Sequence, residues 1–113
     1  MIPFIVLRER LQLSGGICSK GRTVRYTDLI EATQRVLEAL PCRGPVCIQW
    51  KADANGQFKY LEMNPRLSGA VMITAAASAD PMACLVKELR HEAVPLIEWK
   101  EVTVIRYFDE KIP

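Results

Sequence analysis

Glu62-Met63-Asn64-Pro65-Arg66-Leu67-Ser68-Gly69 ends an alternating run of residues with a carboxylate, an amide and a guanidinium in close succession. Side chains two apart on a β-strand point to the same face, so Glu62 and Asn64 present oxygen atoms together. Pro65 then ends the strand, because it has no N–H to donate to a neighbouring strand. Oxygen ligands with few carboxylates suit Mg²⁺ or Mn²⁺, and Mg²⁺ commonly shares its coordination with substrate phosphates.

The turn upstream of this segment sets the register of its strand. Asn55-Gly56 between two alternating runs is typical of a two-residue type I′ hairpin turn. If Ala54 pairs with Gln57 across such a turn, Gln49 faces Glu62, with Cβ atoms about 5 Å apart. The sequence therefore predicts a hairpin that adds a third oxygen ligand beside the carboxylate.

The same register gives the two faces of the hairpin different characters. The polar face is predicted to carry Gln49, Lys51, Asp53, Phe58, Tyr60, Glu62 and Asn64. The apolar face is predicted to carry Ile48, Trp50, Leu61 and Met63. We therefore expect the first face to bind a ligand and the second to pack on the rest of the domain.

Arg66 and Lys20 are the cationic candidates. Arg66 offers a planar guanidinium for a phosphate oxygen. Lys20, in Ser19-Lys20-Gly21, could reach a phosphate or an acyl-phosphate intermediate, although its residue type alone favours an ordinary surface lysine. In isolation, Glu62 and Asn64 also fit a solvated strand edge, and it is the combination with Gln49 and Arg66 that favours a metal and phosphate site.

A resemblance to a known family rests on residues 44–50, the turn at 55–56 and residues 62–69. These segments look like the end of an ATP-grasp domain and are similar to the large chain of carbamoyl phosphate synthetase and its short-form relatives. The resemblance implies that Gln49, Glu62 and Asn64 bind the metal of MgATP and that Arg66 contacts phosphate and acts in catalysis. Lys20 is our further candidate for binding the nucleotide.

The activity implied by this resemblance is ligation. ATP converts a carboxylate or bicarbonate into an acyl phosphate, which an amine or ammonia then attacks. The alternative is a non-catalytic binding or assembly module that completes a separately encoded ATP-grasp half.

The resemblance also implies a partner. The preceding domain, the lid with a glycine-bearing loop and the adenine-clamping lysine of the family have no counterpart among the 113 residues. We therefore expect the carboxy-terminal portion of an ATP-grasp domain, paired with an amino-terminal portion and showing little or no turnover alone.

Composition limits the other function classes. With 50% hydrophobic and 25% charged residues, residues 1–113 fit one domain with a real core. A net charge of +2 without a long basic run gives no support for nucleic acid binding. The sequence shows neither a secretory signal nor an apolar stretch long enough for a bilayer, and its four cysteines form no Cys-x-x-Cys pair, so we expect a cytoplasmic protein with free thiols and no membrane partner.

The periodicity of the chain predicts an α+β fold, a mainly antiparallel sheet with helices packed on it. Strands are predicted at residues 4–13, 22–26, 47–53, 58–64 and 99–108, and helices at 27–40, 70–79 and 80–92. Thr27 and Glu31 resemble a capping box, and Asp80 resembles an N-cap. The inner face of the last helix is predicted to be Met82, Leu85, Val86 and Leu89. Exposed strand edges and apolar patches favour a homodimer.

Overall fold

Over residues 2–107 and 109–113, which the computed structural model describes, the fold is α+β with two antiparallel sheets and three helices. The elements are β1 (Leu7–Ser14), β2 (Ile17–Val24), α1 (Thr27–Ala39), β3 (Cys47–Ala52), β4 (Phe58–Asn64), α2 (Val71–Ala76), α3 (Pro81–Leu89) and β5 (Thr103–Ile105). One sheet has the strand order β1-β2-β5, and the other is the β3–β4 hairpin. The predicted fold class is confirmed.

A tight hairpin joins β1 to β2. Residues 14–16 are expected from the sequence only to interrupt a strand, but Ser14 pairs directly with Ile17 across them. Gly15 and Gly16 both have positive φ, 59° and 79°, as a type I′ turn requires. The turn extends β2 toward its amino-terminal end, so the predicted strand at residues 22–26 is too short.

The helix α1 packs on the three-stranded sheet. Leu29 is buried with Leu7 and Val24, and Thr33 is buried one turn further along the helix. The N-cap is Tyr26, whose side chain makes no capping hydrogen bond, so the predicted capping box is wrong. Packing of the apolar stripe, rather than a cap, therefore stabilises the start of this helix.

The short helix α2 lies against β2. Ile73 is fully buried, and its Cδ1 would lie 2.7 Å from a Cβ added at Gly21. Glycine at this position therefore allows the helix to approach the strand closely. The predicted helix over 70–79 is confirmed in place, although it is shorter.

The N-cap of α3 forms as predicted, but the predicted inner face of the helix is largely exposed. The side chain of Asp80 accepts hydrogen bonds from the backbone N of Met82 (2.9 Å) and of Ala83 (3.3 Å). The predicted inner face is wrong, because Met82, Val86 and Leu89 are 53%, 47% and 71% exposed. No residue of this helix is buried.

A second buried cluster forms where the chain returns to the sheet. Trp99 packs with Ala77 and Ala79, and the Arg25 guanidinium lies 3.9 Å from the Trp99 ring centroid and donates to its carbonyl oxygen. The last strand covers only Thr103–Ile105 rather than the predicted 99–108, and the predicted strand residue Phe108 lies outside the described residues. Within the described ranges, no helix has the length and apolar character that crossing a bilayer would need.

Candidate metal and phosphate site

The β3–β4 hairpin brings the predicted metal ligands together. Gln49 pairs with Glu62, and Cys47 pairs with Asn64, which confirms the predicted register at this end of the hairpin. The two pairs are two residues apart on each strand, so these four side chains share one face, which we call the oxygen face.

The turn that sets this register differs from the predicted one. Asp53 N donates to Gln57 O at 2.7 Å, so three residues rather than two connect the strands. Gly56 has φ 77°, as in a three-residue loop that ends in the left-handed region. The Asp53 carboxylate further accepts hydrogen bonds from the backbone N of Asn55 and of Gln57, both at 2.9 Å. The predicted type I′ turn is therefore wrong.

A β-bulge at Leu61 restores the predicted register. Gln49 pairs with Glu62, but the next pair is Trp50 with Tyr60, so Leu61 has no partner. A bulge inserts one extra residue and reverses which face the residues beyond it occupy. The extra residue offsets the longer loop, so Gln49, Glu62 and Asn64 share one face as predicted.

The bulge moves aromatic residues to the apolar face. Tyr60 lies with Trp50, the ring centroids 5.8 Å apart and edge to face, and Phe58 stacks on Tyr26 at 5.9 Å. The prediction that Phe58 and Tyr60 lie on the polar face is therefore wrong. The rings of Trp50, Phe58 and Tyr26 line a cleft of about 630 Å³ with the start of α1, on the side of the hairpin away from the oxygen face.

The oxygen face fits a hard cation. Asn64 Nδ2 donates to Glu62 Oε1 at 3.1 Å, which orients both side chains and leaves Asn64 Oδ1 and Glu62 Oε2 as possible ligands. Among the described residues, no group of three or more His, Cys, Asp or Glu side chains is placed to hold a metal. Of the three predicted ligands only Glu62 carries a charge, so a bound cation would complete its shell with water or phosphate oxygens, as Mg²⁺ usually does.

Arg66 lies just beyond the oxygen face. Its backbone N donates to Asn64 O at 2.8 Å, which turns the chain sharply after β4. Its side chain is exposed, and Nη1 donates to Leu67 O at 3.0 Å. The remaining guanidinium N–H groups can therefore meet an incoming phosphate, and the phosphate role of Arg66 stays a prediction.

Lys20 lies on β2, in the other sheet from the oxygen face. Arg106 connects the two regions, because its Nη1 donates to Cys18 O at 3.3 Å and to Gly69 O at 3.1 Å. The contact ties the strand near Lys20 to the end of the 62–69 segment. Arg106 thus acts as a structural link, and phosphate binding by Lys20 stays a prediction.

Arg8 is a residue at the site that sequence reasoning missed. It is half-buried on β1, with Nη2 at 3.8 Å from Cys47 Sγ on the oxygen face. Burial lowers the pKa of Arg8 from its ordinary value, and the nearby Cys47 partly opposes this effect. Alternation along β1 gives the face on which Arg8 lies, but no local pattern indicates that β1 approaches β3.

Comparison with models of protein families matches residues 3–111 to a family described as ATP-grasp in the biosynthetic pathway with Ter operon. The match includes both strands of the hairpin, the 62–69 segment and Arg8. A comparison with curated proteins found no significant match.

Proposed function

The chain belongs to this ATP-grasp family, whose shared function is ATP-dependent, ligase-like chemistry, and from that premise we propose that it is the MgATP-binding portion of a carbamoyl phosphate synthetase-like ligase. In the proposed reaction, an oxygen of a carboxylate or bicarbonate attacks the γ-phosphorus of ATP, and ADP leaves. An amine or ammonia then attacks the acyl carbon and expels inorganic phosphate. The observation that supports this proposal is the set of paired oxygen ligands on the hairpin.

Each residue has a role that its position supports. Gln49, Glu62 and Asn64 would hold the cation, Arg66 would donate to the transferred phosphoryl group, and Lys20 would neutralise a further phosphate charge. A Mg²⁺ or Mn²⁺ ion held there would supply positive charge that offsets the charge developing on the phosphate oxygens. Phosphoryl transfer needs mainly positioning and electrostatics, so the proposal requires no side-chain nucleophile.

The proposal includes a location. Cys18, Cys42, Cys47 and Cys84 are free and half-buried. A reducing compartment keeps such thiols from oxidising, and we therefore propose a cytoplasmic protein that acts on small molecules.

Calorimetry with ATP in the presence of Mg²⁺ tests the metal site. We expect weak binding by the wild type and a loss of about tenfold or more in Glu62→Ala, because the only charged ligand is removed. Glu31→Ala, which removes an exposed carboxylate from α1, is the matched control and should bind as the wild type does. Without Mg²⁺ the difference between wild type and Glu62→Ala should disappear. Equal MgATP affinity of wild type and Glu62→Ala would contradict the proposal.

The alternative is an assembly module that completes a separately encoded ATP-grasp half, and it requires apolar surface for a partner chain, such as the exposed Met82, Val86 and Leu89 of α3. Mixing the chain with an amino-terminal ATP-grasp fragment and measuring ADP release separates the two functions. If the chain supplies metal ligands, only the wild type restores turnover. If it only completes the fold, Glu62→Ala restores turnover equally well.

A further inference from the structure

We propose that Arg8, at the edge of the oxygen face, binds an oxyanion, either the γ-phosphate of the nucleotide or the acyl phosphate made from the carboxylate. This inference rests on the proposed function and adds to it a residue from a different sheet. It concerns substrate binding by the side chain of Arg8 itself.

The position of Arg8 supports this inference. Arg8 Nη2 lies 3.8 Å from Cys47 Sγ, and Cys47 is paired with Asn64. Gln49 follows two residues further along β3 and points the same way. The guanidinium therefore lies at the edge of the face that carries the predicted metal ligands.

The charge of Arg8 is not balanced by a carboxylate in the described part of the chain. Ion pairs of the arginines there join Arg22 to Glu9, Arg43 to Glu88 and Arg90 to Glu92, and none involves Arg8. A thiol is a weak acceptor, so Cys47 satisfies little of the hydrogen-bonding capacity of the guanidinium. A half-buried cation without a counter-ion is costly, and a bound anion would remove that cost.

The chemistry of the guanidinium indicates the class of ligand. Its planar fork matches the spacing of carboxylate and phosphate oxygens. If Gln49, Glu62 and Asn64 hold a cation, its charge would favour phosphate at the same edge, where the Arg8 guanidinium can donate to a phosphate oxygen. Burial lowers the pKa of Arg8, and an anion would act in the opposite direction.

The first test observes Arg8 directly in the wild-type chain. The Nε–Hε resonances of the arginines are followed by NMR while inorganic tripolyphosphate is added without metal. We expect the Arg8 resonance to move to saturation, whereas that of Arg22, which lies on the opposite face of the sheet in an ion pair with Glu9, should stay in place. An Arg8 resonance that does not respond would overturn the inference, and no folded variant is needed to see this.

Variants then measure the contribution to affinity. Arg8→Gln should weaken tripolyphosphate binding about tenfold, because it loses both the charge and the bidentate contact. Arg8→Lys keeps the charge and should weaken binding less, and Arg22→Gln should not weaken it. Failure of the proposed metal site would appear as equal MgATP affinity of wild type and Glu62→Ala, whereas failure of this inference would appear as equal tripolyphosphate binding by Arg8→Gln and wild type.

Binding measurements with MgATP, MgADP and inorganic phosphate distinguish the γ-phosphate from the acyl phosphate as the ligand of Arg8. If Arg8 binds the γ-phosphate, Arg8→Gln should weaken MgATP and spare MgADP. If Arg8 binds the acyl phosphate, MgATP and MgADP should bind unchanged, and inorganic phosphate should no longer bind to the MgADP complex of the variant. Unchanged binding of all three would overturn the inference.

Discussion

At the scale of single residues, the two helix starts differ in how they are stabilised. Asp80 accepts two backbone hydrogen bonds, whereas Thr27 lies inside α1 and its helix has no side-chain cap. Asp80→Ala should lower the free energy of unfolding by about 0.5–2 kcal/mol, the usual effect of losing a cap. Thr27→Ala should change it little, because alanine has the higher helix propensity and no capping bond is lost. Urea denaturation of both variants measures this, and a larger effect at Thr27 would contradict the assignment of the caps.

The sequence predicted one of these two helix starts correctly. Asp80-Pro81 has the composition of a helix start, and the cap forms as predicted. Thr27-Asp28 is also typical of a helix start, but Thr27 is not the N-cap. The helix begins after Tyr26, and its buried residues Leu29 and Thr33 face the sheet. Tertiary packing, rather than the local capping signal, therefore determines where α1 begins.

At the scale of elements, the hairpin shows why part of the site could be predicted and part could not. Hydrophobic alternation and the Asn55-Gly56 signal predicted the pairing of Gln49 with Glu62, although the turn itself differs. The longer loop and the bulge at Leu61 each shift the register by one residue, and their effects cancel at the oxygen face. They do not cancel for Tyr60, whose face was predicted wrongly. A bulge depends on cross-strand packing, which a single strand does not reveal.

The resemblance to ATP-grasp domains also rests on a single element and the segment that follows it. The 62–69 segment indicated an ATP-grasp domain, and the family match over residues 3–111 confirms it. Arg8 was missed because its place at the site depends on the approach of β1 to Cys47 on β3, a contact between residues far apart in the sequence. Local patterns predict elements well and contacts between sheets poorly.

The contact between α2 and β2 gives a prediction for an element pair. A Cβ at Gly21 would lie 2.7 Å from Ile73 Cδ1, so Gly21→Ala should destabilise the fold by about 1–3 kcal/mol. Ile73→Val removes the Cδ1 atom itself, at a cost of about 0.5–1.5 kcal/mol. The double variant should therefore be more stable than the sum of the two single losses predicts. Thermal and urea unfolding of the four proteins form the double-mutant cycle, and strict additivity would show that the close contact is not the cause.

At the scale of the whole molecule, the chain exposes more surface than its mass requires. Its accessible area is 8283 Å² and its radius of gyration is 15.0 Å. A compact monomer of this size would expose roughly 6,200 Å² and have a radius of gyration of roughly 13 Å. The excess of roughly 2,000 Å² exceeds the roughly 800 Å² that each partner buries in a standard interface. The surface is therefore large enough for a stable partner.

The orientation of α3 shows where that surface is apolar. Leu85 lies 4.0 Å from a Cβ built at Gly44, and Glu88 forms an ion pair with Arg43 at 2.6 Å, which lowers the pKa of this carboxyl. Leu85 and Glu88 therefore face the loop before β3. The residues at 82, 86 and 89 recur at helical spacing on a different side and remain exposed.

We propose that this stripe, formed by Met82, Val86 and Leu89, is covered by a second copy of the chain. Burial of three large side chains favours association, and the excess area is more than each partner buries in a standard interface. Val86→Glu would place an unpaired charge in the contact and should weaken the dimer by about tenfold or more. Sedimentation velocity should therefore show a dimer for the wild type and for the surface control Arg35→Glu, and a monomer for Val86→Glu. A monomeric wild type that associates only with an amino-terminal ATP-grasp fragment would instead assign the stripe to that partner, because the same apolar area would then be buried between two different chains.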